Sequence, residues 1–162
     1  QTQAVKERGF AVAPDEDRGW NEYDFHDMLH SRVGGQAPSE VIQDRKTHFR
    51  ALRETLAEWQ QGGVSGASES WAEFIARVEA ARQHAADTEA ERVLVVSSGG
   101  VSARLVAATV QVPDSQMIAL NLQVKNTSLT RFISGRGKFF LHEFNSVPHF
   151  HDAERAKLMS YS

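Results

Sequence analysis

The residues of this sequence whose types and spacing best suit chemistry form one short turn, Ser97-Ser98-Gly99-Gly100. The apolar run at 93–96 precedes it and predicts a strand buried on both faces of a parallel sheet. A run rich in Ala, Leu and Val follows to Val110 at helical spacing. Such a turn would point the first free N–H groups of the helix over the sheet edge, where they suit an anion. A turn that only reverses the chain explains the same residues equally well, and both interpretations stand.

Two helices are predicted before this turn. Ser39 can cap a helix that runs to about Gln60. Ser70-Trp71-Ala72-Glu73 is a capping box, which predicts a second helix ending near Asp87. On the first helix, residues at three- and four-residue steps form a largely apolar stripe. This stripe needs a partner surface, either the protein's own sheet or another subunit. Its residues are Val41, Arg45, Phe49, Leu52, Leu56 and Trp59.

The patterns of the remaining segments predict several strands and one short helix end. Residues 120–125 and 127–133 alternate like antiparallel strands, and Ser134-Gly135-Arg136-Gly137 predicts a hairpin turn into a strand at 138–144. At the other end, residues 1–9 predict a short helix end closed by Gly9, and residues 10–12 an edge strand. The pattern therefore combines helices with strands.

Composition excludes several functions. The chain has 162 residues, the size of one domain, and a net charge of −3, which gives no reason to expect electrostatic binding to nucleic acid or membranes. It has no cysteine, so disulfides and thiolate chemistry are absent. His26 and His30 are four residues apart, and His149 and His151 are two residues apart, so each could be a pair of metal ligands. No carboxylate cluster completes a metal site with them. No membrane span or signal peptide is apparent, and a cytoplasmic protein is expected.

The motifs resemble the histidine phosphatase superfamily, the phosphoglycerate mutase-like enzymes. Residues 93–101, Val-Leu-Val-Val-Ser-Ser-Gly-Gly-Val, are similar to its strand and Ser-His-Gly-Gly turn. Residues 20–25 resemble its Leu-x-Glu-x-x-Phe-Gly segment, and residues 126–130 its Asn-Ala-Ser-Leu-Thr strand start. The resemblance extends from Gln1 to about Phe150. It implies a three-layer α/β fold, in which a mixed sheet has helices on both faces.

The resemblance also implies roles for particular residues. Glu22 matches the carboxyl that donates a proton to the leaving group, a role that suits a partly desolvated acid. Ser98, Gly99 and Gly100 match the phosphate-binding turn, and Ser98 stands where the family has its second catalytic histidine. No metal or cofactor is implied. An acidic surface turn beside an aromatic anchor is the other interpretation of Glu22.

One family motif is absent. The Arg-His-Gly sequence, whose histidine takes the phosphoryl group, occurs nowhere in these 162 residues. Family members hydrolyse phosphomonoesters through a phosphohistidine, and this chain is expected to be inactive because it lacks that nucleophile. The fold should then lack its N-terminal central strand. We expect a single domain, incomplete at its N-terminus, although a strand supplied from elsewhere or a rearranged fold would also account for the gap.

Two other functions remain open. In the second hypothesis, the chain has lost catalysis and serves as a phosphatase-like binding or dimerisation module. A nucleotide-binding α/β domain is the third hypothesis, but the Gly-x-Gly-x-x-Gly pattern is not present. The expected partners are a phosphorylated small molecule or a phosphate-like anion, and a second copy in a homodimer. Glu22 is expected to approach the Ser98–Gly100 turn and to leave a gap about as wide as a phosphate group.

Overall fold

Helices make up most of the described part of this computed structural model, which covers residues 14–35, 44–135 and 138–161. A 3-10 turn, Arg18–Trp20, precedes the first helix. The helices are α1 (Phe25–Val33), α2 (Arg45–Gln60), α3 (Trp71–Ala86), α4 (Gly99–Thr109) and α5 (Asp114–Asn121). Strands β1 (Leu129–Gly135) and β2 (Lys138–Ser146) follow, and then the short α6 (Ala153–Ala156). Of these helices, none is long and apolar enough to cross a membrane.

Local capping explains where α2 and α3 begin. The predicted box is confirmed in α3, where the Ser70 N–H donates to Glu73 Oε2 at 2.8 Å and Ser70 Oγ accepts from the Glu73 N–H at 3.3 Å. In α2 the cap is Asp44, whose Oδ2 accepts from the Thr47 N–H at 2.7 Å. The predicted cap Ser39 lies outside the described residues, as do Val41 and the elements predicted at 1–9 and 10–12.

The apolar stripe of α2 packs against the protein's own helices. Leu52, Leu56 and Trp59 are buried in a core that includes residues of α3, α4 and α5. The Trp59 ring lies 5.1 Å from Trp71 and 5.5 Å from Phe74, distances typical of favourable aromatic pairs. Neither of the two partners expected for the stripe, a sheet or another subunit, is needed to cover these residues.

The predicted hairpin is confirmed as an antiparallel pair of β1 and β2. Phe132 lies opposite Leu141, Ile133 lies opposite Phe140, and the Phe132 and Phe139 rings stack at 4.6 Å. The two residues at its tip, 136–137, lie outside the described residues. Helices and strands together confirm the α/β class. Within the described ranges the sheet has these two strands, which is smaller than the mixed sheet with helices on both faces that was expected.

Two predicted strands are wrong. Residues 93–96 are not paired with any described strand, and their side chains are 37–70% exposed, so they are not buried on both faces. A buried strand requires neighbours on both edges and both faces, and the described residues provide none there. Residues 120–125 do not form a strand either: α5 continues to Asn121, and a turn follows at residues 122–123. Its buried residues Met117, Ile118 and Asn121 follow the helical period instead.

Candidate functional site

Glu22 lies directly at the N-terminus of α4. The Gly100 N–H donates a hydrogen bond of 2.8 Å to Glu22 Oε2, across 78 positions of the chain. The first backbone N–H bonded within the helix belongs to Ser102, which donates to Ser98 O, so the amides before it have no intrahelical partner. The structure therefore brings Glu22 together with the Ser98–Gly100 turn, as the sequence predicted, and the carboxylate satisfies one of these free donors.

Ser98 does not cap α4 with its side chain, although it occupies the N-cap position. Its Oγ is buried and makes no hydrogen bond of good geometry with a described residue. The hydroxyl is still close enough to the Glu22 carboxyl to favour its charged form. Glu22 therefore takes the capping role that a serine at this position usually has.

The protonation of Glu22 is set by opposing effects. The residue as a whole is exposed, but its carboxyl end lies against Gly100 and Tyr23. This enclosure removes water and raises the pKa of the Glu22 carboxyl above its ordinary value. The Gly100 N–H and the Ser98 hydroxyl oppose the increase without cancelling it. The result is a carboxyl that holds its proton to higher pH than a solvated glutamate does.

Arg77 of α3 holds the segment that carries Glu22. Its Nη1 donates to the carbonyl oxygens of Gly19 at 3.1 Å and Asn21 at 2.7 Å. Its Nε and Nη2 donate to the two carboxylate oxygens of Glu69, at 2.5 and 2.8 Å. Because Arg77 is anchored by this bidentate pair, it fixes the backbone on both sides of Trp20.

Two further contacts complete this attachment. Ser97 Oγ donates to the Trp20 carbonyl oxygen at 2.7 Å and so joins the turn before α4 to the same segment. Tyr23, next to Glu22, is 7% exposed, and its ring lies 5.6 Å from Trp59. Its hydroxyl accepts a hydrogen bond of 2.6 Å from Asn121 Nδ2. Glu22 is thus held between a buried tyrosine and a segment fixed by Arg77 and Ser97.

Gly100 is required by the closeness of this contact. A Cβ at position 100 would overlap Glu22 Oε1 and Tyr23 Cε1. The expected gap about as wide as a phosphate group between Glu22 and the turn is therefore wrong. An unsatisfied N–H at the positive end of a helix attracts the nearest carboxylate, and here that carboxylate belongs to the protein itself.

The sequence did not reveal the parts of the site that depend on distant residues. No local pattern in the sequence indicates that Arg77 bonds to the carbonyl oxygens of Gly19 and Asn21. Within the described ranges, the paired histidines are not part of any group of three side chains that could hold a metal ion. His149 instead shares a hydrogen bond of 2.8 Å with Thr127 Oγ1.

Comparison with known proteins gives one match. A model of the histidine phosphatase superfamily (branch 1) matches residues 1–147. No match was found among curated proteins or among solved structures. The matched residues include Glu22, Arg77, the Ser98–Gly100 turn and both strands of the hairpin. The chain belongs to the histidine phosphatase superfamily.

Proposed function

We propose that the N-terminus of α4, at the Ser98–Gly100 turn, is a binding site for a phosphate monoester that competes with the Glu22 carboxylate, and that Glu22 stands where complete family members have the acid for the leaving group. The hydrogen bond of 2.8 Å between the Gly100 N–H and Glu22 Oε2 carries this proposal, because it puts a carboxyl next to an anion-binding helix end. The raised pKa supports the role of acid, since a proton donor must hold its proton near neutral pH.

Ionisation of Glu22 controls access to this site. While it is charged, its carboxylate occupies the Gly100 N–H and repels a second anion. Protonation removes the repulsion and weakens the internal hydrogen bond, so the N–H becomes free for a ligand oxygen. Binding of a phosphate-like anion should therefore strengthen as the pH falls through the pKa of Glu22.

Turnover by the 162-residue chain is not expected. The family resemblance assigns phosphoryl transfer to a histidine in an Arg-His-Gly motif, and no such motif is present in the printed sequence. Ser98 stands at the position of the second histidine, and a hydroxyl cannot supply the positive charge that stabilises the phosphoryl oxygens. We therefore propose that these residues bind a phosphate group without hydrolysing it.

An NMR titration with sulfate tests this proposal, because sulfate keeps its charge across the relevant pH range. The amides of residues 98–101 should shift, with tighter binding at acidic than at alkaline pH. Glu22→Gln should bind more tightly at alkaline pH and lose most of the pH dependence. Neither the chain nor its Ser98→His variant should hydrolyse an aryl phosphate faster than buffer. Shifts that avoid residues 98–101, or turnover abolished by Ser98→Ala, would overturn the proposal.

A non-catalytic dimerisation module is the second candidate, and the exposed run at 93–96 favours it. Leu94 is 70% exposed and Val93 is 48% exposed, although both are strongly apolar. Contiguous apolar surface of this kind is typical of interaction sites. This function does not exclude the first, because a domain can bind a phosphate group and also associate with a second copy.

A further inference from the structure

A basic groove lies along the first turns of α2. It is an open depression of about 580 Å³ lined by Asp44, Lys46, Phe49, Arg50, Arg53 and Leu122. Lys46, Arg50 and Arg53 are spaced by four and three residues, which puts them on one face of the helix. None of these lining residues belongs to the contact between Glu22 and the Ser98–Gly100 turn.

Among the described residues, the three cations of the groove form no salt bridge, although Arg50 lies near enough to Asp44 to help lower the pKa of that carboxyl. Their charged groups make no ion pair or hydrogen bond with any residue that the structure describes. Arg32 and Arg77, by contrast, bind Glu58 and Glu69. Like charges at helical spacing repel each other, so a bare basic face has an unfavourable energy that a bound anion would relieve. The feature is local, because the whole chain has a net charge of −3.

The remaining lining residues define what would fit. Asp44 is the one acid of the groove, and its Oδ2 is already bonded to the Thr47 N–H at 2.7 Å and to Thr47 Oγ1 at 2.5 Å. Three cations and one carboxylate leave an excess of two positive charges. Phe49 and Leu122 are half-buried and packed against the core, so they offer a fixed apolar surface beside these charges.

We propose that this groove binds a dianionic organic phosphate that carries an aromatic or aliphatic group. The planar guanidinium groups of Arg50 and Arg53 suit two-point contact with phosphate oxygens, and Lys46 adds a third charge. The organic part of the ligand would lie on Phe49 and Leu122. Binding here requires neither Glu22 nor the Ser98–Gly100 turn, and so stands apart from the function proposed above.

Phenylphosphonate is a suitable probe, because its carbon–phosphorus bond resists hydrolysis. Titrated into the full chain above neutral pH, it should cause saturable NMR shifts of the amides of residues 46–53. The affinity should fall with added salt, because the charges are exposed. Inorganic phosphate should bind more weakly, since it cannot contact Phe49 and Leu122. Equal affinity for the two probes would contradict the apolar part of the proposal.

Matched variants distinguish the groove from general charge effects. Arg50→Gln with Arg53→Gln should weaken binding by at least about tenfold, since each removes a charge-assisted contact. Arg92→Gln with Lys138→Gln removes the same charge at exposed positions elsewhere and should leave the affinity unchanged. Glu22→Gln should leave the affinity reported by the amides of residues 46–53 unchanged, although the separate site at residues 98–101 should then bind the probe more tightly. The absence of saturable shifts, equal weakening by the two double variants, or loss of binding in Glu22→Gln would overturn the proposal.

Discussion

Glu22 shows how a helix N-terminus can be satisfied from a distant part of the chain. The carboxylate accepts from the Gly100 N–H at 2.8 Å, in the position where we propose that a phosphate oxygen binds. Its enclosure raises its pKa, whereas the helix end and the Ser98 hydroxyl favour the charge. The same residue can therefore exclude an anion when it is ionised and admit one when it is protonated.

The stability of the protein should reflect this raised pKa. The folded state holds the Glu22 proton to higher pH than the unfolded chain, so this residue stabilises the fold as the pH falls through the folded pKa. The gain is complete below the ordinary value of about 4.3 and absent well above the folded pKa. Glu22→Gln has no such proton to lose. Its melting temperature relative to the parent chain should therefore rise with pH.

Glu73→Gln is the matched control for that experiment. The Ser70 hydroxyl, and after it the Ser70 N–H, lowers the pKa of Glu73, so this carboxylate stabilises the fold above its ordinary pKa and loses that effect in acid. The melting temperature of Glu73→Gln relative to the parent should fall as the pH rises. If the melting temperatures of both variants, relative to the parent chain, changed in the same direction with pH, the assignment of a raised pKa to Glu22 would be wrong.

At the scale of elements, α3 acts as the support of the site. Arg77 links this helix to the backbone of Gly19 and Asn21, and Glu69 holds the guanidinium in place. Gly19 permits the approach, because a Cβ there would lie 2.6 Å from Ala81 Cβ. The position of Glu22 therefore depends on a helix that is distant from it in sequence.

Arg77→Lys should test this support. A lysine cannot keep the pair with Glu69 and both carbonyl bonds, so we expect a loss of roughly 1–3 kcal/mol in the free energy of unfolding. The chemical shift of the Gly100 amide should also change, whereas a role of Arg77 confined to α3 would leave that shift unchanged. Arg82→Lys alters a pair in the same helix whose partner Glu79 is exposed, and it should cost less than about 1 kcal/mol without changing the shift of the Gly100 amide. Equal effects of the two variants on the Gly100 amide would contradict a positioning role for Arg77.

The elements that the sequence predicted correctly are those with local causes. The capping box at Ser70 and the hairpin of β1 and β2 depend on neighbouring residues, and both are confirmed. The contact between Glu22 and the Ser98–Gly100 turn was predicted through family resemblance. The strand at 93–96 was wrong because burial depends on distant partners, and the contacts of Arg77 could not be predicted because they join segments 56–58 positions apart.

For the whole molecule, the main unexplained feature is its exposed apolar surface. The run at 93–96 is exposed along its whole length, and Ile133 and Phe140, which face each other in the hairpin, are each 54% exposed. Burying such surface is favourable by about 25 cal/mol per Å². We therefore expect the chain to associate in solution.

Light scattering at micromolar concentration should find a dimer or a larger assembly. Leu94→Lys should shift the population toward the monomer, because it introduces a charge into the run at 93–96. Leu158→Lys is the control, since Leu158 is exposed to a similar extent, 72% against 70%, but lies outside that run. A monomeric parent chain with a cooperative thermal transition, or the same response from both variants, would contradict association through these residues.

The most direct test of the central claim is an NMR pH titration of the Gly100 amide. If Glu22 occupies the N-terminus of α4, this amide should report the ionisation of its carboxyl, with a midpoint above the ordinary glutamate value of about 4.3. In Glu22→Gln the transition should disappear. A Gly100 amide that does not titrate, that titrates at or below the ordinary value, or that titrates unchanged in Glu22→Gln would contradict the account.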